Sequence, residues 1–332
     1  MSKFVPARIP NKAKYVPGDN SIVWKIPQFQ SLSEFMLTGE ANLAVVTHKK
    51  ARSRMLTSSS LLIRLLKVFA KSDYNSFRWA HYMTKAGNFQ IRNVSTADLA
   101  NALTDPRPAS YKLEYFDISG TPAVARDMLA YGDADWEHLP LVNWPAEVKS
   151  PFGVFPVLHI TTASGTTLAL AEALVIDHYL AQKFGLLGEN AWEEQLIKAY
   201  HSSSCYLRER LSTRVTWNYK SVMGRAMDLF LEQTLPLWIQ THSKHLRDNG
   251  SNGHYVGNKM SLADLQTANN IDHFACLNRG DEIVAMIKAC PEIWRVKETV
   301  DSEPRLQAWR QSEAYKKHVA ASQAMYASTG ME

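Results

Sequence analysis

Cysteine, histidine and serine chemistry is the first thing the residue pattern argues against. Cys205, Cys276 and Cys290 are odd in number and form no CxxC pair, which speaks against a disulfide framework, a zinc ribbon or a dithiol redox centre. They read as buried or idle thiols. The eleven histidines show no HExxH or similar ligand spacing, and no Gly-rich phosphate loop or GxSxG elbow occurs, so neither metal nor nucleotide nor serine-hydrolase chemistry is expected. Three other residues stand at element boundaries. Tyr115 lies next to the end of a short alternating run, Pro156 interrupts the start of an apolar one, and Glu172 lies at the start of a strong helical pattern. Each also has a plain structural reading: a strand tyrosine in a core, a fold-determining proline, and a first-turn acid that suits a helix dipole.

The elements that must hold these residues follow from periodicity. Tyr111–Phe116 alternates as a strand and is closed by Asp117, Gly120 and Pro122, and a 3.6-residue pattern then runs from Ala123 to about Tyr131. Val154–Ile160 reads as a strand, Thr161–Gly165 as a hairpin-like turn, Thr166–Leu170 as a second short strand, and Ala171–Phe184 as a helix stopped by Gly185. From Ala191 onward only helical patterns recur, which predicts an α/β part over 110–187 followed by an all-α part over 191–325. Within the latter, Ser261 and Asp264 have the spacing of a reciprocal helix cap, with Met260 and Leu265 positioned as the accompanying staple.

Charge divides the chain differently. Residues 1–110 hold 16 Lys/Arg against 6 Asp/Glu, and residues 111–332 hold 21 against 26. The first part, with Pro6, Pro10, Pro17 and Pro27 and little periodicity, reads as a basic extension, partly irregular, over 1–109. It lacks Lys/Arg interleaved with aromatics, so nucleic acid is not an expected partner. Residues 47–72 carry seven Lys/Arg and no acid beside an apolar run. That fits either a mitochondrial transit helix, if translation starts at Met55, or a basic amphipathic helix lying on the protein or on an acidic partner. No stretch is long and apolar enough for a membrane span and no secretory signal is seen, so a cytoplasmic protein is expected.

Taken in order, Tyr111-Lys-Leu-Glu-Tyr-Phe-Asp117 with Arg126, Trp144-Pro145, Pro151-Phe-Gly-Val-Phe-Pro-Val-Leu158 and Glu172-Ala-Leu-Val-Ile-Asp-His-Tyr-Leu-Ala181 resemble the cytosolic glutathione transferases, the sigma-like class best. The resemblance covers about two thirds of the chain and excludes residues 1–110. It implies a thioredoxin-like domain followed by the all-helical domain of that family, a homodimer, and glutathione as co-substrate with no other cofactor. Tyr115 takes the position of the tyrosine that donates to the glutathione sulfur, with Tyr111 and Ser119 as fallback donors. The chemistry is direct: a thiol of pKa about 8.5 is mostly protonated at neutral pH, and a phenol of pKa about 10 can donate to the thiolate without losing its own proton. By the same resemblance Phe155, before a cis Pro156, would pair its backbone with the cysteinyl unit. Glu172 and Ala173 would meet the γ-glutamyl end, Trp144 and Lys149 the glycyl carboxylate, and Phe116 would flank the site.

Three positions depart from the family pattern. Ala173 stands where a serine is usual, Thr121 where sigma-like members have an arginine, and Ser204-Cys-Tyr-Leu207 where an acid reaches the partner subunit. Tyr206 and Arg208 could line a pocket for a hydrophobic electrophile, or simply belong to a packed helix face. A transferase is therefore the leading expectation, beside a non-catalytic interaction or assembly protein and a glutathione-dependent isomerase or peroxidase of the same fold.

Overall fold

A computed structural model describes residues 109–141, 150–163, 165 and 167–330, together with the backbone of two short strands, Trp24–Lys25 and Ala44–Val45. Those two strands pair antiparallel within a unit that spans Met1–Leu66, and the remaining described residues lie in a second unit, Lys67–Glu332.

In the second unit, Ser110–Tyr115 (β1) is followed by a helix at Ala123–Tyr131 (α1), then by strands Asp135–Pro140 (β2), Val157–Thr161 (β3) and Thr167–Ala171 (β4) and a helix at Ala173–Lys183 (α2). The sheet order is β2-β1-β3-β4, with β2 parallel to β1 and the other two pairings antiparallel. β1 is central and buries Tyr111, Leu113 and Tyr115 on alternate positions, as its period of two demands. Gly165, at φ +83°, turns β3 into β4 and donates its N–H to the Thr162 carbonyl at 2.8 Å. This is the thioredoxin-like α/β layer expected for the first part.

Several boundaries and one whole strand differ from the sequence expectation. β3 begins at Val157 because Pro156, in a cis peptide with Phe155, lies just ahead of it, and α2 begins at Ala173 because Ala171 is paired within β4. β2 is the missed strand. Its sequence, Asp-Trp-Glu-His-Leu-Pro, is half-exposed or exposed throughout, so an edge position leaves it no apolar alternation to read.

Ten described elements complete the helical part: α3 (Ala191–Leu211), α4 (Lys220–Leu229), α5 (Leu235–Asp248), α6 (Leu262–Ala275), α7 (Gly280–Lys288), α8 (Pro291–Ser302), α9 (Pro304–Gln311), α10 (Glu313–Ala327), and two π-helical turns at Ser212–Thr216 and Phe230–Thr234. Central α6 is buried along nearly its full length, and it starts at the expected reciprocal cap. Ser261 Oγ accepts from the Asp264 N–H at 3.4 Å while the Asp264 carboxylate accepts from the Ser261 N–H at 2.9 Å. One apolar core runs from Leu113, Met128 and Leu158 through Leu180 to Leu265 and Phe274. A buried ionic cluster joins the layers beside it. Arg310 of α9 meets Asp127 of α1 at 2.7 Å, and Asn269 of α6 donates to the same carboxylate at 3.0 Å.

Candidate functional site

The strand register brings the three boundary residues together. Glu114, Val157 and Ala171 form one row across β1, β3 and β4. Because β3 runs against both neighbours, the next step along each chain puts Tyr115, Pro156 and Glu172 at the same end of the sheet. Two of the three have unusual backbones: the Phe155–Pro156 peptide is cis, and Glu172 sits at φ +73°. A non-glycine residue in that region costs about 1–3 kcal/mol, and it is held there by a strand on one side and a helix on the other. Glu172 is exposed and its side chain makes no cap bond, while its carbonyl accepts from the N–H groups of Val175 and Ile176.

Tyr115 is 8% exposed, with its ring edge-on to Phe116 at 5.3 Å and the Arg126 guanidinium 5.9 Å from its centroid. Its hydroxyl accepts from the Thr121 N–H at 3.4 Å and donates to Thr121 Oγ1 at 3.5 Å. Both are long contacts for hydrogen bonds, which leaves the hydroxyl available to a stronger partner. Gly120, at φ +51°, lies against the ring. A Cβ there would fall 2.4 Å from Tyr115 Cε1, so this close approach requires glycine.

Three helices hold the loop between Tyr115 and Thr121. From α1, Arg126 donates through Nη1 to the carbonyls of Ile118 at 3.0 Å and Ser119 at 2.7 Å. From α3, Arg208 donates to the Gly120 carbonyl at 2.7 Å. From α10, Ser322 Oγ and the His318 carbonyl accept from the Ser119 N–H at 3.0 and 3.3 Å. Burial pushes the Arg126 pKa down to about 10, against the favourable pull of Tyr115, Asp127 and Asp117, so the guanidinium remains charged at neutral pH. Cationic groups thus approach the tyrosine from positions 126 and 208, even though Thr121 itself brings none.

The other expected residues are distributed unevenly. Phe116 and Phe155 are half-buried, Pro156 is buried, and Ala173 is the first residue of α2. Trp144 and Lys149 lie outside the described residues. Of the fallback donors, Tyr111 belongs to the core, edge-on to Phe184 at 6.4 Å, and Ser119 has its N–H engaged by α10. Tyr206 is exposed and lies under the Arg210 guanidinium at 5.4 Å. His318 and Ser322 were not singled out from sequence, and Gly120 was read there only as a residue that closes the first strand.

A central β1, a cis proline opening β3 and an all-helical second layer built on a capped α6 together define one architecture. The second unit has the glutathione S-transferase fold. The family described as glutathione S-transferase, C-terminal domain, matches residues 211–313. Probable glutathione S-transferase 7 of Caenorhabditis elegans is 29% identical over 210 residues, 60% of this chain and 94% of the relative. The solved structure of NaGST-2 superimposes with a TM-score of 0.51 at 26% identity, covering 62% of this chain and 97% of its own. Prostaglandin synthase D of Nilaparvata lugens has the same fold, with a TM-score of 0.54 at 24% identity over 61% of this chain and 98% of its own.

The basic N-terminal part has a likeness of its own, which its composition did not reveal. Residues 3–93 match the adaptor complexes medium subunit family. AP-2 complex subunit mu of Dictyostelium discoideum is 41% identical over 93 residues, 24% of this chain but only 21% of that relative. The segment at 47–72, read above as a transit or surface helix, falls inside this match and outside the described residues.

Proposed function

We propose that the second unit binds glutathione across the β1–β3–β4 end of its sheet and adds the thiolate to a hydrophobic electrophile. The observation that carries this reading is the convergence of Tyr115, the cis Phe155–Pro156 peptide and Glu172 at one sheet end. The Tyr115 hydroxyl, now making only long contacts to Thr121, would turn its proton to the sulfur and lower the thiol pKa. The thiol proton leaves to solvent, the sulfur lone pair forms the new C–S bond, and the pair displaced from the electrophilic carbon departs with a leaving group or, for a conjugated double bond, is protonated from solvent. Phe155 would offer backbone pairing to the cysteinyl unit, and Glu172 its carboxylate to the γ-glutamyl ammonium. The N-terminal end of α2, at Ala173 and Leu174, would receive the γ-glutamyl carboxylate. Trp144 and Lys149 would serve the glycyl carboxylate and Phe116 would flank the sulfur. Ala173 offers no hydroxyl, which lowers affinity by about 1 kcal/mol relative to a serine.

The sigma-like class and a homodimer belong to the same proposal. Exposed Phe152, Val154, Leu174 and Val175 supply apolar surface for a second copy to cover. A reduced cytoplasmic setting suits three free cysteines. The same thiolate would also serve an isomerase or peroxidase.

Calorimetry with glutathione on the full chain, beside a conjugation assay, tests the reading. Tyr115→Phe should lower turnover on the order of 10²- to 10³-fold. It should also move the ascending acid limb of the pH–rate profile up toward the free-thiol value of about 8.5. Absence of binding at millimolar glutathione would reject the enzyme, and an unchanged profile in the variant would reject Tyr115. One observation favours a second reading, an interaction or assembly protein: the likeness of residues 3–93 to an adaptor medium subunit. A folded full chain that binds no glutathione would support it.

A further inference from the structure

Beside the Tyr115 loop, Asp117, His138 and His318 converge from the end of β1, from β2 and from α10, with one ligand atom of each within 4.8 Å of the others. Asp117 Oδ1 and His138 Nε2 are 2.9 Å apart, and the two imidazole rings lie 4.8 Å apart at 73°. His318 is 4% exposed, and its Nδ1 has no hydrogen-bond partner among the described residues. A neutral imidazole keeps one nitrogen lone pair to offer a metal ion.

We propose that these three residues form a binding site for a transition-metal dication of the zinc type. Two imidazoles and one carboxylate, with solvent as a fourth ligand, are a donor set suited to zinc. Tetrahedral ligation at about 2.0–2.2 Å spaces donor atoms by roughly 3.3–3.6 Å, so Asp117 Oδ1 and His138 Nε2 part from 2.9 Å while wider spacings, which reach at most 4.8 Å, draw in. The metal takes the place of the proton now shared between His138 Nε2 and Asp117.

Two neighbouring cations set the strength of the site. Lys317 Nζ pairs with the other Asp117 oxygen at 2.9 Å, but its side chain is 67% exposed and free to swing away. Arg126, buried, lowers the pKa of both histidines and opposes added positive charge, although it is anchored to the Ile118 and Ser119 carbonyls. This background selects against weakly held hard ions such as magnesium and calcium. It favours ions that bind imidazole strongly. Occupancy would tie α10 to the sheet beside the loop it already contacts at Ser119.

Cobalt(II) absorption and zinc calorimetry on the full chain test the site. The expected result is one equivalent of metal, with tetrahedral d–d bands and no thiolate-to-cobalt charge transfer. His318→Gln and His138→Gln should each weaken binding by at least the roughly tenfold that loss of an outer-shell partner costs. Lys317→Met should tighten it. Circular dichroism of each variant verifies the fold, and Asp117→Asn provides a second probe if a histidine variant fails to fold. Binding that survives all three ligand substitutions, a thiolate band, weaker binding by Lys317→Met, or no binding by the folded wild type would each overturn the proposal. Glutathione binding is scored separately, so the outcome does not depend on the transferase reading.

Discussion

At the residue scale, the candidate site depends on a glycine as much as on its tyrosine. Gly120 combines a left-handed φ with a contact that no Cβ can share with the Tyr115 ring. Gly120→Ala should therefore push the ring off its position while the core remains intact. Under the transferase reading, turnover should fall tenfold or more with a small change in stability, roughly the 1–3 kcal/mol of a strained backbone, as checked by paired conjugation assays and thermal melts. Tyr115, Pro156 and Glu172 were legible through the resemblance to the glutathione transferases, and sheet register converts their places near element boundaries into shared space. The Asp117, His138 and His318 cluster was not legible. Its members are 21 and 180 positions apart along the chain, and only the packing of α10 on the sheet joins them.

At the element scale, the α/β and helical layers are held together by ions as well as by apolar packing. Asp127, 1% exposed, has Arg310 and Asn269 as partners, and Arg310 also reaches Asp272 at 3.4 Å. Burial opposes the charge on Arg310, but the Asp127 and Asp272 carboxylates outweigh it and hold the guanidinium pKa above its ordinary value. Removing the cation alone strands a buried carboxylate. Arg310→Met should cost about 3–5 kcal/mol in chemical denaturation, and the double variant Arg310→Met, Asp127→Leu should recover much of that loss. The capped start of α6 could be read from Ser261 and Asp264 because capping is local chemistry. Strand β2 could not, since it lies at an exposed edge where neither burial nor alternation marks it.

Across the whole molecule, buried histidines oppose one another in their dependence on pH. His201 lies 3.3 Å from Asp177 and 3.4 Å from Cys205; burial lowers its pKa, but these partners outweigh burial and raise it to about 9. Its contribution is complete below the unfolded value of about 6.5 and is lost as pH rises toward 9. His242, stacked on Trp238 at 4.3 Å and bonded to Tyr255, is lowered by burial to about 3. With His318 at about 4, its contribution is complete above about 6.5 and is lost as pH falls. Stability should therefore peak near neutrality and decline on both sides. Melting curves across that range test this, and His201→Gln should flatten only the alkaline side. The likeness of residues 3–93 to an adaptor medium subunit was invisible at this scale, because charge balance and proline content carry no information about which family a segment resembles.

The clamp on the Tyr115 loop also has a temporal order. Ser119 is tied to Ser322, 203 residues later in the chain. During synthesis the tyrosine and its strand emerge before every helix described above, whereas α10, which helps to fix their loop, follows all the other described elements. A nascent chain halted after α9 would display the sheet without that clamp, so the candidate site becomes fully assembled only when translation of the transferase-like unit is nearly finished.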